Sequence, residues 1–373
     1  RRTGEGDYRQ AGGNFYAMLY FEILLGIFFF LIVVFLCPYL FRLFVETEVI
    51  YQKSLEYLKY RIYGIFPAFI GVSLIAFYTG IARTKIILYD TVVLIVVNIA
   101  LNYGLIFGHW GLPEMGIAGA GLASSLAELA ALVVFSIYMF LDHKLKPFRL
   151  LKIPKIDSRL IKNILRIASP IVAQAVVGLG SWFFFFSIIE NMGERELAVS
   201  NLGRVVYLVL SIPCWGYSVG VNTLVSNFIG QHQETKVMET IKKTMIICLG
   251  STLIFAMPVL LFPQYILYPL LGSEDMSLFV DAQPIFYVLF IILSLFSIGG
   301  IYFNGMAGTG ATFAGLQIQV VCALFYVACI YILVNYLQVG LVTAWMIEIF
   351  YWIPLILLVH YYMVGEKWKH LQM

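Results

Sequence analysis

The chain is 373 residues long, 61% hydrophobic and 12% charged, against the quarter or so of charged residues usual in a soluble domain. No soluble core absorbs that much apolar surface. The fold class expected is an all-α membrane protein, and a net charge of +3 implies no acidic macromolecular partner, nucleic acid included.

Ten apolar stretches are long enough to cross a ~30 Å hydrocarbon layer as helices: 15–40, 61–81, 88–107, 116–140, 168–189, 205–229, 243–270, 284–306, 312–336 and 339–364. The chain opens without an initiator Met on the polar Arg1-Arg2-Thr3-Gly4, so an upstream part is expected. The first span carries Glu22, and the second ends near Tyr78 and Gly80. The third holds Asn98 and Asn102, four residues apart and so on one helix face, with Asp90 near its start, where it is expected to reach water. The fourth opens on the small-residue run Gly116 to Gly121 and holds Glu128.

Between the fourth and fifth spans, 142–166 concentrates eight Lys and Arg around Pro147 and Pro154. From Asp157, a plausible N-cap, the apolar residues Leu160, Ile161, Ile164 and Leu165 have the spacing of an amphipathic surface helix. This segment reads as a basic inter-domain linker. Assigning loops alternately to two sides puts eighteen Lys and Arg on the linker's side and six on the other, which places both termini in the cytoplasm by the positive-inside rule. The later spans carry neutral polar residues, Gln174, Ser181, Asn222, Asn227 and Asn304, with Asn201 just ahead of the sixth. Glu348 lies within the tenth. The five cysteines all fall in or beside apolar segments and read as small core residues rather than a disulfide framework. No Asn-x-Ser/Thr acceptor occurs, consistent with a bacterial protein.

The chain also matches itself. Gly4 precedes Gly230 by 226 residues, as Val45-Glu46-Thr47-Glu48 precedes Leu271-Gly272-Ser273-Glu274; Gly80 to Thr84 precedes Gly305 to Thr309 by 225, and Gly116 precedes Gly340 by 224. The second unit has two spans ahead of its matching loop and the first has none. With equal units of six helices, ~65 residues are expected before Arg1. An even number of spans per unit makes the repeats parallel.

Asn98-x-x-x-Asn102-Tyr103-Gly104-Leu105-Ile106-Phe107-Gly108 followed by Gly111-Leu112-Pro113-Glu114-Met115-Gly116-Ile117-Ala118-Gly119-Ala120-Gly121 resembles the multidrug and toxic compound extrusion family. The opening Gly4 to Gln10 is similar to the loop after that family's second helix, and the resemblance covers the whole chain. It implies a twelve-helix, two-lobe architecture of which this chain holds ten helices. Residues 1–141 would be the N-terminal lobe from the third helix on, 142–166 the linker, and 167–373 the C-terminal lobe. It implies bundles that rock about the linker around a V-shaped cavity and export amphipathic or cationic small molecules in exchange for Na⁺ or H⁺, with no cofactor and as a monomer.

The resemblance places cation-binding residues at Asn98 and Asn102, whose amide oxygens suit Na⁺, with a partner acid on a helix this chain lacks. In one branch a Glu follows the proline matched by Pro170 after eight residues, and an Asp stands on the tenth family helix. Gly178 occupies the first position and 284–306 contains no acid. Candidate pathway or coupling residues are Glu128, Glu348, Tyr78, Gln174, Asn201, Asn222 and Asn304, the acids because a charge in hydrocarbon costs at least ~2.5–3.5 kcal/mol. Aromatics such as Trp182-Phe183-Phe184-Phe185-Phe186 and Trp215 could stack on cations, although most are expected at lipid. A related lipid-linked oligosaccharide flippase is the alternative; it needs cationic cavity residues, for which only Arg61 and Arg204 stand at span borders. No nucleophile cluster, paired-His motif or Walker loop suggests an enzyme.

Overall fold

The computed structural model describes residues 1–45, 47–150, 158–263 and 276–370. Helices long and apolar enough to cross a membrane number ten among them: α1 Tyr8–Phe44, α2 Glu48–Gly80, α3 Lys85–Phe107, α4 Ile117–Leu141, α5 Ser158–Glu190, α6 Glu194–Gly230, α7 Thr235–Leu261, α8 Ser277–Gly308, α9 Thr312–Asn335 and α10 Leu341–Val364. No strand occurs among the described residues.

The helix ends follow from local chemistry. Asp7 caps α1, its Oδ1 accepting from Gln10 N–H at 2.9 Å. Within α1, Pro38 has no N–H to give, and the ladder just before it widens to i→i+5 bonding over Ile32–Leu36, with Cys37 N–H on Ile32 O. Gly108 ends α3 in the left-handed conformation at φ 71°. Two helices are longer than the hydropathy predicts. α2 begins at Glu48 rather than 61, because nothing between them breaks a helix; a single 3₁₀ turn at Ile62–Gly64 marks where the polar half meets the apolar one. The amphipathic stretch expected as a separate surface helix is instead the first part of α5, which runs unbroken through Pro170. Asp157, Lys152, Pro154 and Lys155 lie outside the described residues, as do Glu46 and Leu271 to Glu274 of the repeat.

The chain divides into compact units at 2–164 and 165–373. The start of the expected linker belongs to the first unit's core: Leu145, Phe148 and Leu150 are buried there. Tyr16 OH donates to Leu150 O, and Asp142 pairs with Arg83 at 3.2 Å. In the first unit α1 packs on α2, and α4 on both α2 and α3. In the second, α7 packs on α8, and α10 on both α8 and α9, while α6 packs on α7 and α8. The same three pairings therefore recur in the order the sequence repeat predicts, and α5 and α6 are the helices without counterparts ahead of α1.

The Gly116 to Gly121 run earns its small residues by close approach. A Cβ on Gly119 would lie 2.5 Å from Leu105 O on α3, and one on Gly121 would lie 2.5 Å from Tyr57 O on α2. α4 is thus drawn backbone-to-backbone against both neighbours. The second unit is thicker: 61% of the residues in the most apolar stretch of α8 are buried, against 6% in α1. Cys214, Cys248 and Cys322 are buried and all five cysteines are free thiols.

Candidate functional site

In the first unit, α3 and α4 bring Asn98, Asn102 and Ser124 together. Asn102 Nδ2 donates to Asn98 Oδ1 at 2.9 Å, and Asn98 Nδ2 to Ser124 Oγ at 3.3 Å. Asn102 Oδ1 is buried and accepts no hydrogen bond. An unsatisfied buried acceptor costs ~1–3 kcal/mol, so the oxygen is primed for a proton donor or a hard cation. Asp90 is on the same helix and, contrary to the expectation that it reaches water, is only 8% exposed. It shares a face with Ile86, four residues earlier and also buried, and that face turns into the unit.

Two sequence candidates in this unit have structural partners. Glu128 accepts a bidentate pair of hydrogen bonds from Arg61, at 3.0 Å from Nη1 and 2.7 Å from Nη2. Ser125 beside it bonds Tyr60 O at 2.8 Å, and Gly64 leaves room, since a Cβ there would lie 2.6 Å from Glu128 Oε2. The ion pair ties α2 to α4. Tyr78 is fully buried among Phe77, Phe135 and Tyr138, with ring centroids 5.7, 5.2 and 5.9 Å away, a core position rather than a path lining.

In the second unit several neutral candidates staple helices. Gln174 Nε2 donates to Thr312 O at 2.8 Å, and Gln319 Nε2 to Gln174 O at 3.0 Å. Asn222 Nδ2 donates to Asn304 O at 3.3 Å, while Asn304 Nδ2 bonds Gly300 O within its own helix. Asn201 is half-buried on α6.

Glu348 differs from all of these. It is 5% exposed, and Trp182 Nε1 donates to its Oε1 at 3.0 Å. It also sits where α10 tightens: Ile347 and Glu348 keep right-handed helical backbone, but Glu348 N–H turns to Trp345 O, three residues back, at 3.2 Å. Around it lies a cavity of about 390 Å³, lined by Tyr207, Tyr326, Tyr351 and Trp352 among others, with half-exposed Trp215 at its rim. Gly178, where the resemblance implies an acid in one branch, lines the same cavity, so its carboxylate comes from α10 rather than α5. The aromatic lining was not legible in the sequence; its one signal was an acid set among Trp345, Tyr351 and Trp352 at helical spacing.

Two repeats of packed spanning helices, each enclosing a buried polar group, define an internally duplicated, polytopic α-helical membrane fold. The MatE family model matches residues 1–104 and 170–332, and the chain belongs to this family of multidrug and toxic compound extrusion proteins. It is 26% identical over 301 residues to "Probable multidrug resistance protein NorM" of Thermotoga maritima, covering 79% of this chain and 63% of that protein. It is 34% identical over 177 residues to the protein of the same description from Haemophilus ducreyi, covering 47% and 36%. The chain thus matches less than two thirds of these relatives' own length. Among solved structures it superposes on a MOP superfamily transporter from Pyrococcus furiosus with TM-score 0.86 at 20% identity, over 100% of this chain and 82% of that one. A structure of MATE in the straight conformation gives TM-score 0.85 at 19% identity, with the same coverage. These likenesses establish the two-lobe helical fold.

Proposed function

We propose that the chain is part of a cation-coupled antiporter that exports amphipathic or cationic small molecules by alternating access, driven by Na⁺ or H⁺. The observation that carries this reading is the Asn98, Asn102 and Ser124 cluster, with a buried amide oxygen awaiting a donor or cation inside a membrane-spanning unit. A cation that binds there in one state and not in the other biases the exchange between states, which is what coupling requires. The relatives named as multidrug resistance proteins support the substrate class. The charge asymmetry of the loops supports a bacterial inner-membrane setting with both termini cytoplasmic. Arg83 and Asp142, at the ends of α2 and α4, pair as two loops on one side of the membrane would.

The flippase alternative is weaker. Arg61 is neutralised by Glu128, and Arg204 lies 5.0 Å over the Phe186 ring, so neither is a phosphate anchor lining a cavity. Efflux of a fluorescent cationic dye from proteoliposomes of the complete protein, under an imposed Na⁺ or proton gradient, tests the proposal. Gradient-dependent efflux that Asn98→Ala removes is the expected result. Efflux indifferent to both gradients would refute it.

A further inference from the structure

Two thiols and two hydroxyls, all fully buried, meet in the second unit where α6, α7 and α8 pack together. Cys214 of α6 is the hub. Its Sγ lies 3.6 Å from Cys248 Sγ and 3.3 Å from Thr252 Oγ1, both on α7, and 3.2 Å from Ser297 Oγ on α8. Ser297 and Thr252 are themselves joined at 3.1 Å. Cys248 and Thr252 are one turn apart, so α7 presents both to the same point. The cluster stands near the middle of α6 and of α7, directly behind the wall of the Glu348 cavity: Trp215 and Phe296, which line that cavity, are the chain neighbours of Cys214 and Ser297.

Two thiols in contact bring chemistry that packing alone does not require. A soft metal ion is one partner for them, but among the described residues no third cysteine, histidine or carboxylate joins the pair, and neutral hydroxyls are poor ligands for such an ion. Oxidation needs no further ligand, because it only closes a contact the two sulfurs already make. The neighbours also set the order of reaction. The Cys248 S–H and both hydroxyls can donate to Cys214 Sγ, an arrangement that supports a thiolate, and the thiolate is the nucleophilic form.

We propose that Cys214 and Cys248 are a redox pair, a modification site that hydrogen peroxide converts to a disulfide between α6 and α7. The Cys214 sulfur attacks one peroxide oxygen, the O–O bond breaks, and the other oxygen leaves with the thiol proton as water, so that Cys214 becomes a sulfenic acid. The Cys248 sulfur then attacks the Cys214 sulfur, the S–O bond breaks, and the hydroxyl leaves with the Cys248 proton as a second water. The peroxide is neutral and little larger than water, and the cavity brings it to within one wall of the thiols. Of the helices here, α6 supplies Tyr207, Leu208 and Trp215 to that wall and α7 supplies none of its described residues, while Pro213 takes one rung out of the α6 ladder beside the cluster. The disulfide therefore splints the wall to the helix behind it where α6 is weakest, and locks the unit under oxidising conditions. The pairing stands on the geometry alone; its effect on efflux rests on the antiport reading.

The unmodified protein is treated with hydrogen peroxide, unfolded and alkylated with N-ethylmaleimide. Two of its five thiols should be lost to alkylation, mass spectrometry should find one peptide pair joining Cys214 to Cys248, and the melting temperature should rise by roughly 5–10 °C, reversibly with dithiothreitol. With dimedone present, Cys248→Ser should carry the trap on Cys214, whereas Cys214→Ser should leave Cys248 unmodified. In proteoliposomes the oxidised form should export dye several-fold more slowly and recover on reduction. All five thiols still open to alkylation after peroxide, or a disulfide through any other cysteine, would overturn the pairing. Dimedone on Cys248 instead would overturn the assignment of Cys214 as nucleophile, and a crosslinked protein that exports as fast as the reduced one would overturn the lock. A mapped crosslink with no gradient-driven efflux in either form would count against the antiport reading alone.

Discussion

Breaking the Arg61–Glu128 pair separates a structural role for Glu128 from a transport role. The pair is bidentate, and the side chains are 30% and 17% exposed, between the fully exposed and fully buried extremes. An exposed pair contributes up to ~1 kcal/mol, and breaking a buried one costs ~3–5 kcal/mol. Glu128→Ala or Arg61→Ala should therefore each destabilise the protein by about 2–3 kcal/mol. Because each single change strands the other charge, the double variant should lose much less than the sum, with a coupling of ~1.5–3 kcal/mol. Chemical denaturation in detergent, followed by tryptophan fluorescence on the four members of the cycle, measures this. Dye efflux should persist in the double variant at the temperature where it remains folded. Additive stabilities, or a Glu128→Gln protein as stable as the parent but without efflux, would show that the carboxylate serves the transport cycle rather than the α2–α4 contact.

Gly119→Ala should destabilise by ~1–3 kcal/mol, because the new methyl meets the Leu105 carbonyl and α3 must move away. Gly180→Ala on α5, with nothing within 4 Å of the added Cβ, should instead be neutral or stabilise by ~0.5–1 kcal/mol; thermal melts of the two variants give the contrast. Asn102→Leu removes the unsatisfied oxygen but also the bond to Asn98 Oδ1, so the melting temperature should change little while any shift of it with Na⁺ or pH is abolished; a surviving shift would move the cation site elsewhere. Gln174→Leu should cost ~0.5–1.5 kcal/mol by removing the hydrogen bond that ties α5 to Thr312 O at the start of α9, as read from the denaturation midpoint.

The spans and their doubling were legible because both follow from local pattern: runs of apolar residues set the helices, and loop residues at a constant offset set the repeat. The close approach of α4 to its neighbours could be suspected from Gly116 to Gly121, since only small residues let backbones meet. Which acid was paired could not. Glu128 and Arg61 are 67 residues apart, and their meeting depends on how α2 lies against α4. For the same reason Asp90 read as a water-facing end residue: its distance from the start of α3 is a sequence property, but the face it takes is a packing one. The aromatic wall is drawn from five helices of the second unit, so no window along the chain contains it.

Glu128 and Glu348 lie on corresponding helices of the repeat, and their sequence settings invite the same role for both. Position within the helix separates them: at the spacing that brings Gly116 onto Gly340, Glu128 falls on Trp352, not on Glu348. Where the first unit joins α2 to α4 by an ion pair, the second joins α8 to α10 through Trp352 packed on Phe296, ring centroids 5.0 Å apart and planes tilted by 44°. Tryptophan makes that contact by dispersion and apolar burial, with no charge to balance. The acid of α10 is therefore free of the duty its counterpart carries, and it stands one turn earlier, in a cavity, with the indole N–H groups of Trp182 and Trp352 where Glu128 has a guanidinium.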